Sequence, residues 1–176
     1  MKVAEQTTVE YGDGVLRIEA SAKNQILGPS GSIEATVQLP AGSRIEAKAA
    51  SAELRGVGRF GDVAFEGSHG AIKLDEAASV HLTTVGGDVS VGRLNGPAEI
   101  STGKGDIRIA EAVRGTVVLR TQAGDVSVGA AHGVSASLDA GTTYGRIHNA
   151  LKNTEGAADL NIHATTAYGD IVARSL

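Results

Sequence analysis

The sequence predicts an all-β protein with the architecture of a β-solenoid. Three observations lead to this prediction. A step of Gly, a polar residue and Val or Ile recurs from residue 61 onward, apolar and polar residues alternate on both sides of each step, and no segment sustains the apolar spacing of a helix. The chain also contains 24 Gly but only three Pro, a composition that suits many turns between short strands.

Six of these steps mark the repeat along the chain. From Gly87 onward, successive steps lie 18, 19, 21 and 24 residues apart. Gly tolerates the positive φ of a tight turn, and Asp can accept hydrogen bonds from the backbone of the turn. We therefore predict a structural turn ladder that consists of Gly61, Asp62, Gly87, Asp88, Gly105, Asp106, Gly124, Asp125, Gly145, Arg146, Gly169 and Asp170.

The residues around each step predict strands and the way in which they stack. An apolar residue follows the polar residue in every step, and a Thr stands four residues before it in the last five steps. Alternation with a period of two indicates a strand with one buried face. A pair of strands cannot bury that face alone, so we predict stacked two-strand coils of about 18–20 residues, about 4.8 Å apart. A β-sandwich of consecutive hairpins is the alternative fold.

We predict a single β-strand-repeat domain that covers residues 1–176. Its regular coils are expected over residues 56–176. Residues 1–55 alternate less regularly, and irregular strands are expected there, at 15–20, 32–39 and 44–54.

Composition and charge argue against several classes of partner. The chain has no Cys, which excludes disulfides and Cys-based zinc sites, and its net charge of −4 accompanies Lys and Arg that are scattered singly. Because the sequence has no basic stripe, we expect no nucleic-acid partner. No stretch approaches the roughly 20 apolar residues of a membrane span. The first residues lack the apolar run of a signal peptide, so we expect a cytoplasmic protein, or a cell-surface protein if an upstream segment has been removed.

The sequence has no pattern typical of an active site, a cofactor site or a metal site. A ladder of Asp could bind calcium, but the calcium-binding nonapeptide pattern is not met, and Arg146 interrupts the series. The five His are dispersed, and Ser90 and Ser127 lie within predicted strands rather than on a nucleophile elbow. We therefore predict no catalytic residues, no cofactor and no metal, in a protein that is not an enzyme.

Several segments resemble a known bacterial group. Besides the Gly-Asp-Val steps, they are SIEATVQLPAGSRIEA (32–47), RGTVVLRTQAGDVSVG (114–129), TTYGRIHNAL (142–151) and TTAYGDIVARSL (165–176). In these segments the chain resembles the actinobacterial-type adhesin family of β-strand-repeat domains of unknown function. The resemblance covers nearly the whole chain, implies a β-solenoid fold and brings no assigned catalytic residues.

The expected function is that of a non-enzymatic structural or interaction protein, adhesin-like in kind. The ends of a solenoid carry unpaired backbone groups, so we expect self-association through the open ends to a homo-oligomer, or binding of a protein or envelope partner. We also expect the closing segment, residues 165–176, to form the C-terminal end of the stack, where Arg174 would protect the edge.

A glycan or cell-envelope binding module is the alternative function. Tyr144 and Tyr168 occupy the same position of the repeat and should stack on adjacent coils, which makes them the candidate surface contact. The competing interpretation of this pair is a packed aromatic corner that closes the last turns.

Overall fold

The computed structural model describes residues 7–20, 34–154 and 156–176. The chain divides into two units, Met1–Leu39 and Pro40–Leu176. In the first unit, β1 (Thr7–Gly12) and β2 (Val15–Ala20) form an antiparallel hairpin. Its turn, Asp13 and Gly14, has positive φ at both residues, as a two-residue hairpin turn of type I′ requires.

Part of one predicted strand is not a strand in the structure. Residues 34–39 have no strand neighbour among the described residues, although polar and apolar residues alternate there. Residues 32 and 33 of the predicted strand lie outside the described residues. An alternating segment becomes a strand only where a neighbouring strand accepts its backbone hydrogen bonds.

Twelve strands form the second unit, and every pair of neighbouring strands in it is parallel. They are β3 (Ile45–Ser51), β4 (Leu54–His69), β5 (Ile72–Gly86), β6 (Val89–Leu94), β7 (Ala98–Lys104), β8 (Ile107–Ala112), β9 (Gly115–Ala123), β10 (Val126–Ala130), β11 (Ala136–Tyr144), β12 (Ile147–Ala150), β13 (Leu160–Tyr168) and β14 (Ile171–Ser175). Parallel pairing throughout excludes a sandwich of consecutive hairpins, whose neighbouring strands are antiparallel.

These strands wind into coils with two faces, which we call sheet A and sheet B. Each coil consists of a strand of sheet A, a corner and a strand of sheet B. Sheet A contains, in spatial order, β3, residues 63–69 of β4, residues 80–86 of β5, β7, β9, β13 and β11. Sheet B contains residues 54–60 of β4, residues 72–77 of β5, β6, β8, β10, β14 and β12. The predicted β-solenoid is confirmed.

The stack includes residues upstream of the predicted boundary at residue 56. Strand β3 pairs in parallel with the sheet A part of β4, with Ile45 beside Val63. Its alternating residues Ile45, Ala47 and Ala49 pack against the core, so β3 has the apolar face that a coil needs.

The last coils do not follow the order of the sequence. The coil of β13 and β14 lies between the coil of β9 and β10 and the coil of β11 and β12. The chain thus passes over one position, forms the outermost coil and returns to fill the gap. We call the coil of β11 and β12 the terminal coil. The expectation that residues 165–176 end the stack is wrong, because β14 has a neighbour on both sides and Arg174 therefore protects no edge.

The exposure of the inward side chains depends on the position of their coil in the stack. The inward apolar residues of the inner coils are 0–5% exposed, and Ile100, Leu119 and Ile162 are 0–1% exposed. In the terminal coil, the corresponding Leu138 is only half-buried, and all four residues of β12 are exposed. The terminal coil has only one neighbouring coil to pack against, and its apolar residues therefore retain part of their contact with solvent.

Candidate functional site

The corners where sheet A passes into sheet B contain most residues of the predicted turn ladder. In spatial order their glycines are Gly70, Gly87, Gly105, Gly124, Gly169 and Gly145. A Cβ at any of them would collide with a carbonyl of the preceding coil, and all but Gly145 have a positive φ. Gly105 illustrates this: its φ is 147°, and a Cβ at this position would collide with the carbonyl oxygen of Gly87 in the preceding coil. Its amide donates to the carbonyl of Ala123 in the next coil at 2.9 Å. Glycine is required both by the backbone angle and by the close approach of the next backbone.

The Asp side chains join the same corners to one another. The amide of Asp106 donates to Oδ1 of Asp88 at 2.9 Å, and the amide of Asp125 donates to Oδ1 of Asp106 at 2.8 Å. The amide of Asp170 donates in the same way to Oδ1 of Asp125 at 2.8 Å. We call Asp88, Asp106, Asp125 and Asp170 the Asp ladder. Each member holds the corner of the next coil through a charge-assisted hydrogen bond.

Arg146 occupies the last position of this ladder. Its amide donates to Oδ1 of Asp170 at 2.8 Å, which completes the series. No coil of the described residues follows the terminal coil, so a carboxylate at this position would have no amide of a further coil to bind. The structure therefore explains why the repeat needs no carboxylate here, although position 146 lies between two Asp members in the sequence.

The Thr that precedes each step serves the corner from inside the solenoid. The hydroxyl of Thr121 donates to the carbonyl of Gly105 at 3.0 Å, and that of Thr166 donates to the carbonyl of Gly124 at 3.0 Å. Thr84, Thr102, Thr121 and Thr166 are all buried. The Thr series satisfies backbone carbonyls within the solenoid and presents no regular outer face.

Gly61 and Asp62 require a correction, because they lie at the opposite corner, where β4 bends from sheet B into sheet A. Asp62 is in register with Ser79, and its Oδ1 accepts a hydrogen bond from the Ser79 hydroxyl at 2.5 Å. The apolar residue after this step, Val63, begins the sheet A part of β4, whereas the residue after each other step begins a sheet B strand. The available signal was the Thr four residues before the polar residue, which the other five steps have and this step lacks, with Gly58 at that position.

An open groove of about 530 Å³ borders Asp62 on the outer side of sheet A. Among the described residues that line it, Ser79 donates to Asp62, while Nδ1 of His81 lies 3.4 Å from a carboxylate oxygen of Glu99. The hydroxyl and the imidazole are thus each occupied with a different carboxylate, rather than paired as a nucleophile and its base.

Other classes of site are absent from the part of the chain that the structure describes. No group of three or more His, Asp or Glu there has an arrangement that could hold a metal ion. The same residues contain no helix with the length and apolar character that crossing a bilayer would need.

Tyr144 and Tyr168 directly precede the corner glycines of the terminal coil and its neighbour, Gly145 and Gly169. They are in register on β11 and β13, with ring centroids 5.0 Å apart and ring planes within 7° of parallel. Both rings remain largely exposed, at 64% and 60%. One face of the Tyr144 ring is covered by Tyr168, and no further coil of the described residues lies against the other face.

A basic column on sheet B was missed by the sequence analysis. Arg55, Lys73 and Arg108 point outward from β4, β5 and β8, in one register column that also contains Ser90. We call Arg55, Lys73 and Arg108 the basic column. These residues lie about one coil or two coils apart in the sequence, so the singly scattered bases become neighbours only when the coils stack. The available signal was their shared position, two residues after a corner.

Replacement of Gly105 by Ala should destabilise the solenoid by about 3 kcal/mol or more, because the methyl group meets a backbone carbonyl and the φ is unfavourable for Ala. Urea unfolding followed by circular dichroism measures this change. Gly141→Ala is the control, since a Cβ there meets no atom within 4 Å; we expect a change below about 1 kcal/mol for it. Equal losses in both variants would contradict the assigned role of the corner.

Asp125→Ala should lower the free energy of unfolding by about 1–2 kcal/mol, because the amide of Asp170 loses its carboxylate acceptor. Asp125→Asn retains an Oδ1 acceptor and removes one of several aligned charges, so its effect should stay within about 0.5 kcal/mol. The same urea titration compares the two variants. If Asn were as damaging as Ala, charge rather than the hydrogen bond would hold the corner.

Comparison with known proteins agrees with this architecture. The profile of the Toastrack DUF4097 family matches residues 2–174, nearly the whole chain. Neither the curated proteins nor the solved structures include one that matches the chain. The match confirms the expected relation to a β-strand-repeat domain of unknown function, and it indicates no catalytic family. With its stacked parallel coils and a match of this extent, the chain belongs to the Toastrack DUF4097 family.

Proposed function

We propose that this protein is a non-enzymatic interaction module whose copies associate through the terminal coil. The single observation behind this proposal is that β11 and β12 each have a strand neighbour on one side only among the described residues. An edge strand with exposed apolar side chains readily pairs with another chain. Tyr144 and Ile147 are the large exposed hydrophobic side chains at this edge, and Ile147 is 46% exposed.

The backbone of the terminal coil supports the proposal. In the inner coils, the amide that opens a sheet B strand donates to a carbonyl of the next coil, as Ile107 does to Asp125 at 2.9 Å and Ile171 does to Arg146 at 2.8 Å. Ile147 occupies the same position in the terminal coil, and the described residues provide no coil beyond it. A second copy can supply the missing acceptor.

A two-fold contact between two terminal coils brings apolar residues together and pairs opposite charges. The chain reverses direction between β11 and β12, so a two-fold axis along the strands sets β11 of one copy antiparallel to β12 of the other. In the register that puts Tyr144 opposite the partner's Ile147, Asp139 lies opposite the partner's Lys152. Apolar residues and opposite charges thus face each other, and the two-fold contact closes the assembly as a dimer.

Ile147→Lys should weaken this association, because it places a charge in the middle of the apolar contact. Light scattering over a range of concentrations should show the unmodified chain approaching the mass of a dimer and the variant remaining near that of a monomer. Val85→Lys is the matched control: Val85 is a branched strand residue with 60% exposure, and it lies on β5, away from the terminal coil.

Charge reversal tests the proposed register. Asp139→Lys should weaken the dimer, and the double variant Asp139→Lys with Lys152→Asp should restore it, because the opposed charges are exchanged. A monomeric unmodified chain at millimolar concentration, or equal masses for the Ile147 and Val85 variants, would overturn the proposal.

The stacked tyrosines favour a second candidate, a glycan or cell-envelope binding module of the adhesin type. A sugar ring could stack on the uncovered face of Tyr144, as sugars do on exposed aromatic rings in binding sites. The two candidates compete for the same surface, because this ring face also lies at the edge proposed for dimer formation.

Tyrosine fluorescence tests the glycan candidate directly, since the chain has three Tyr and no Trp. We expect cellotetraose or chitotetraose to change the emission of the unmodified chain and of Tyr11→Phe, but not of Tyr144→Ala. Tyr11 serves as the control because it is exposed on the hairpin of the other unit. An unchanged emission with both sugars, or an equal response of all three proteins, would argue against the candidate.

A further inference from the structure

Two columns of charge run along the second unit, in the direction in which its coils stack. The basic column is in register over β4, β5 and β8, and the Asp ladder follows the corners of four coils. All seven side chains belong to exposed residues. None of them has an ion-pair partner within 4.0 Å among the residues that the structure describes.

The two columns have the same length and the same repeat. The basic column, with Ser90 between Lys73 and Arg108, spans four successive coils, and the Asp ladder also spans four successive coils. In both, neighbouring side chains are separated by one strand spacing, about 4.8 Å. When the basic column of one molecule lies along the Asp ladder of another, each of the three bases faces a carboxylate and Ser90 faces the fourth carboxylate. This holds whether the two stacks run in the same direction or in opposite directions.

Within one chain the columns cannot neutralise each other fully, because they are displaced by two coils. Arg55 and Lys73 belong to coils that precede the first Asp of the ladder, and only Arg108 shares a coil with a ladder member, Asp106. Each ladder carboxylate also uses only Oδ1 for the amide of the next coil, so Oδ2 can accept from another molecule.

We propose that the basic column of one copy binds the Asp ladder of a second copy, side by side. Charge complementarity favours a second copy as the occupant, because a chain of net charge −4 carries on one face an unpaired basic column whose spacing equals that of its own acidic ladder. Because the two surfaces differ, the contact is heterologous, and each copy can bind one neighbour through each column. The terminal coil takes no part, so this contact is independent of the dimer proposed above.

Sedimentation velocity at two salt concentrations tests this contact in the Ile147→Lys chain, in which the end contact is removed. Exposed charge pairs weaken as salt screens them, and the Debye length falls from about 30 Å at about 0.01 M to about 3 Å at about 1 M. We expect a sedimentation coefficient that rises with concentration at low salt, and an association constant lower by about tenfold or more at high salt.

Variants in which uncharged Gln or Asn replaces the charged residues of each column test whether the association depends on the two columns. The triple variant Arg55→Gln, Lys73→Gln and Arg108→Gln should sediment as a monomer at both salt concentrations. Its matched control removes three positive charges that lie on or next to strands of sheet A: Arg44→Gln, Lys48→Gln and Arg120→Gln. On the acidic side, Asp106→Asn with Asp125→Asn keeps both Oδ1 acceptors and should abolish association as well.

The outcomes separate the two contacts between copies. Loss of association in the basic triple variant and in the Asn double variant, with retention in the control, would support the side-by-side contact. A monomeric Ile147→Lys chain at low salt would overturn it without affecting the end contact, which is measured in the unmodified chain. Equal behaviour of the basic triple variant and its control would also overturn it.

Discussion

The close approach of successive backbones at the Gly–Asp corner is the constraint on which the stack depends. At Gly105 the neighbouring carbonyl occupies the space that any Cβ would need, so the coils can reach their hydrogen-bonding distance only if this corner has no side chain. The hydroxyl of Thr121 and the carboxylate of Asp88 then bind the backbone groups that the corner leaves without sheet partners. Three residue types thus perform three complementary tasks at this corner.

The order of the last coils explains details that the repeat leaves irregular. The terminal coil lies outermost, although β13 and β14 follow it in the chain. Arg146 replaces Asp at the one corner that has no further amide to hold. Leu138 is half-buried for the same reason, because a coil with one neighbour has only one layer to pack against. An apparent break in the repeat therefore marks the physical end of the stack.

The features that could serve a function lie on the periphery of this solenoid. Among the described residues, the buried side chains are mostly aliphatic, with Phe65, Ser135 and four Thr beside them. The outer surface instead offers an edge with exposed Tyr144 and Ile147, and columns of charge that follow the strand spacing. Repetition makes these columns regular, because each coil that contributes to a column places its residue at the same register position.

Much of the fold could be predicted from the sequence because it depends on local patterns. Alternating apolar residues determine which face of each strand is buried, and the Gly-Asp steps determine where the chain turns. The position of Tyr144 and Tyr168 at one point of the repeat likewise predicted that their rings would stack, as they do at 5.0 Å. These patterns need only neighbouring residues and a constant repeat.

Only the tertiary structure decided which coils are neighbours. The repeat is nearly the same in every coil, so its pattern accepts either order of the last two coils. The connection after β10 determines that order, by carrying the chain past one position to the terminal coil. The free edge and the basic column arise from this arrangement, because both depend on contacts between residues far apart in the chain.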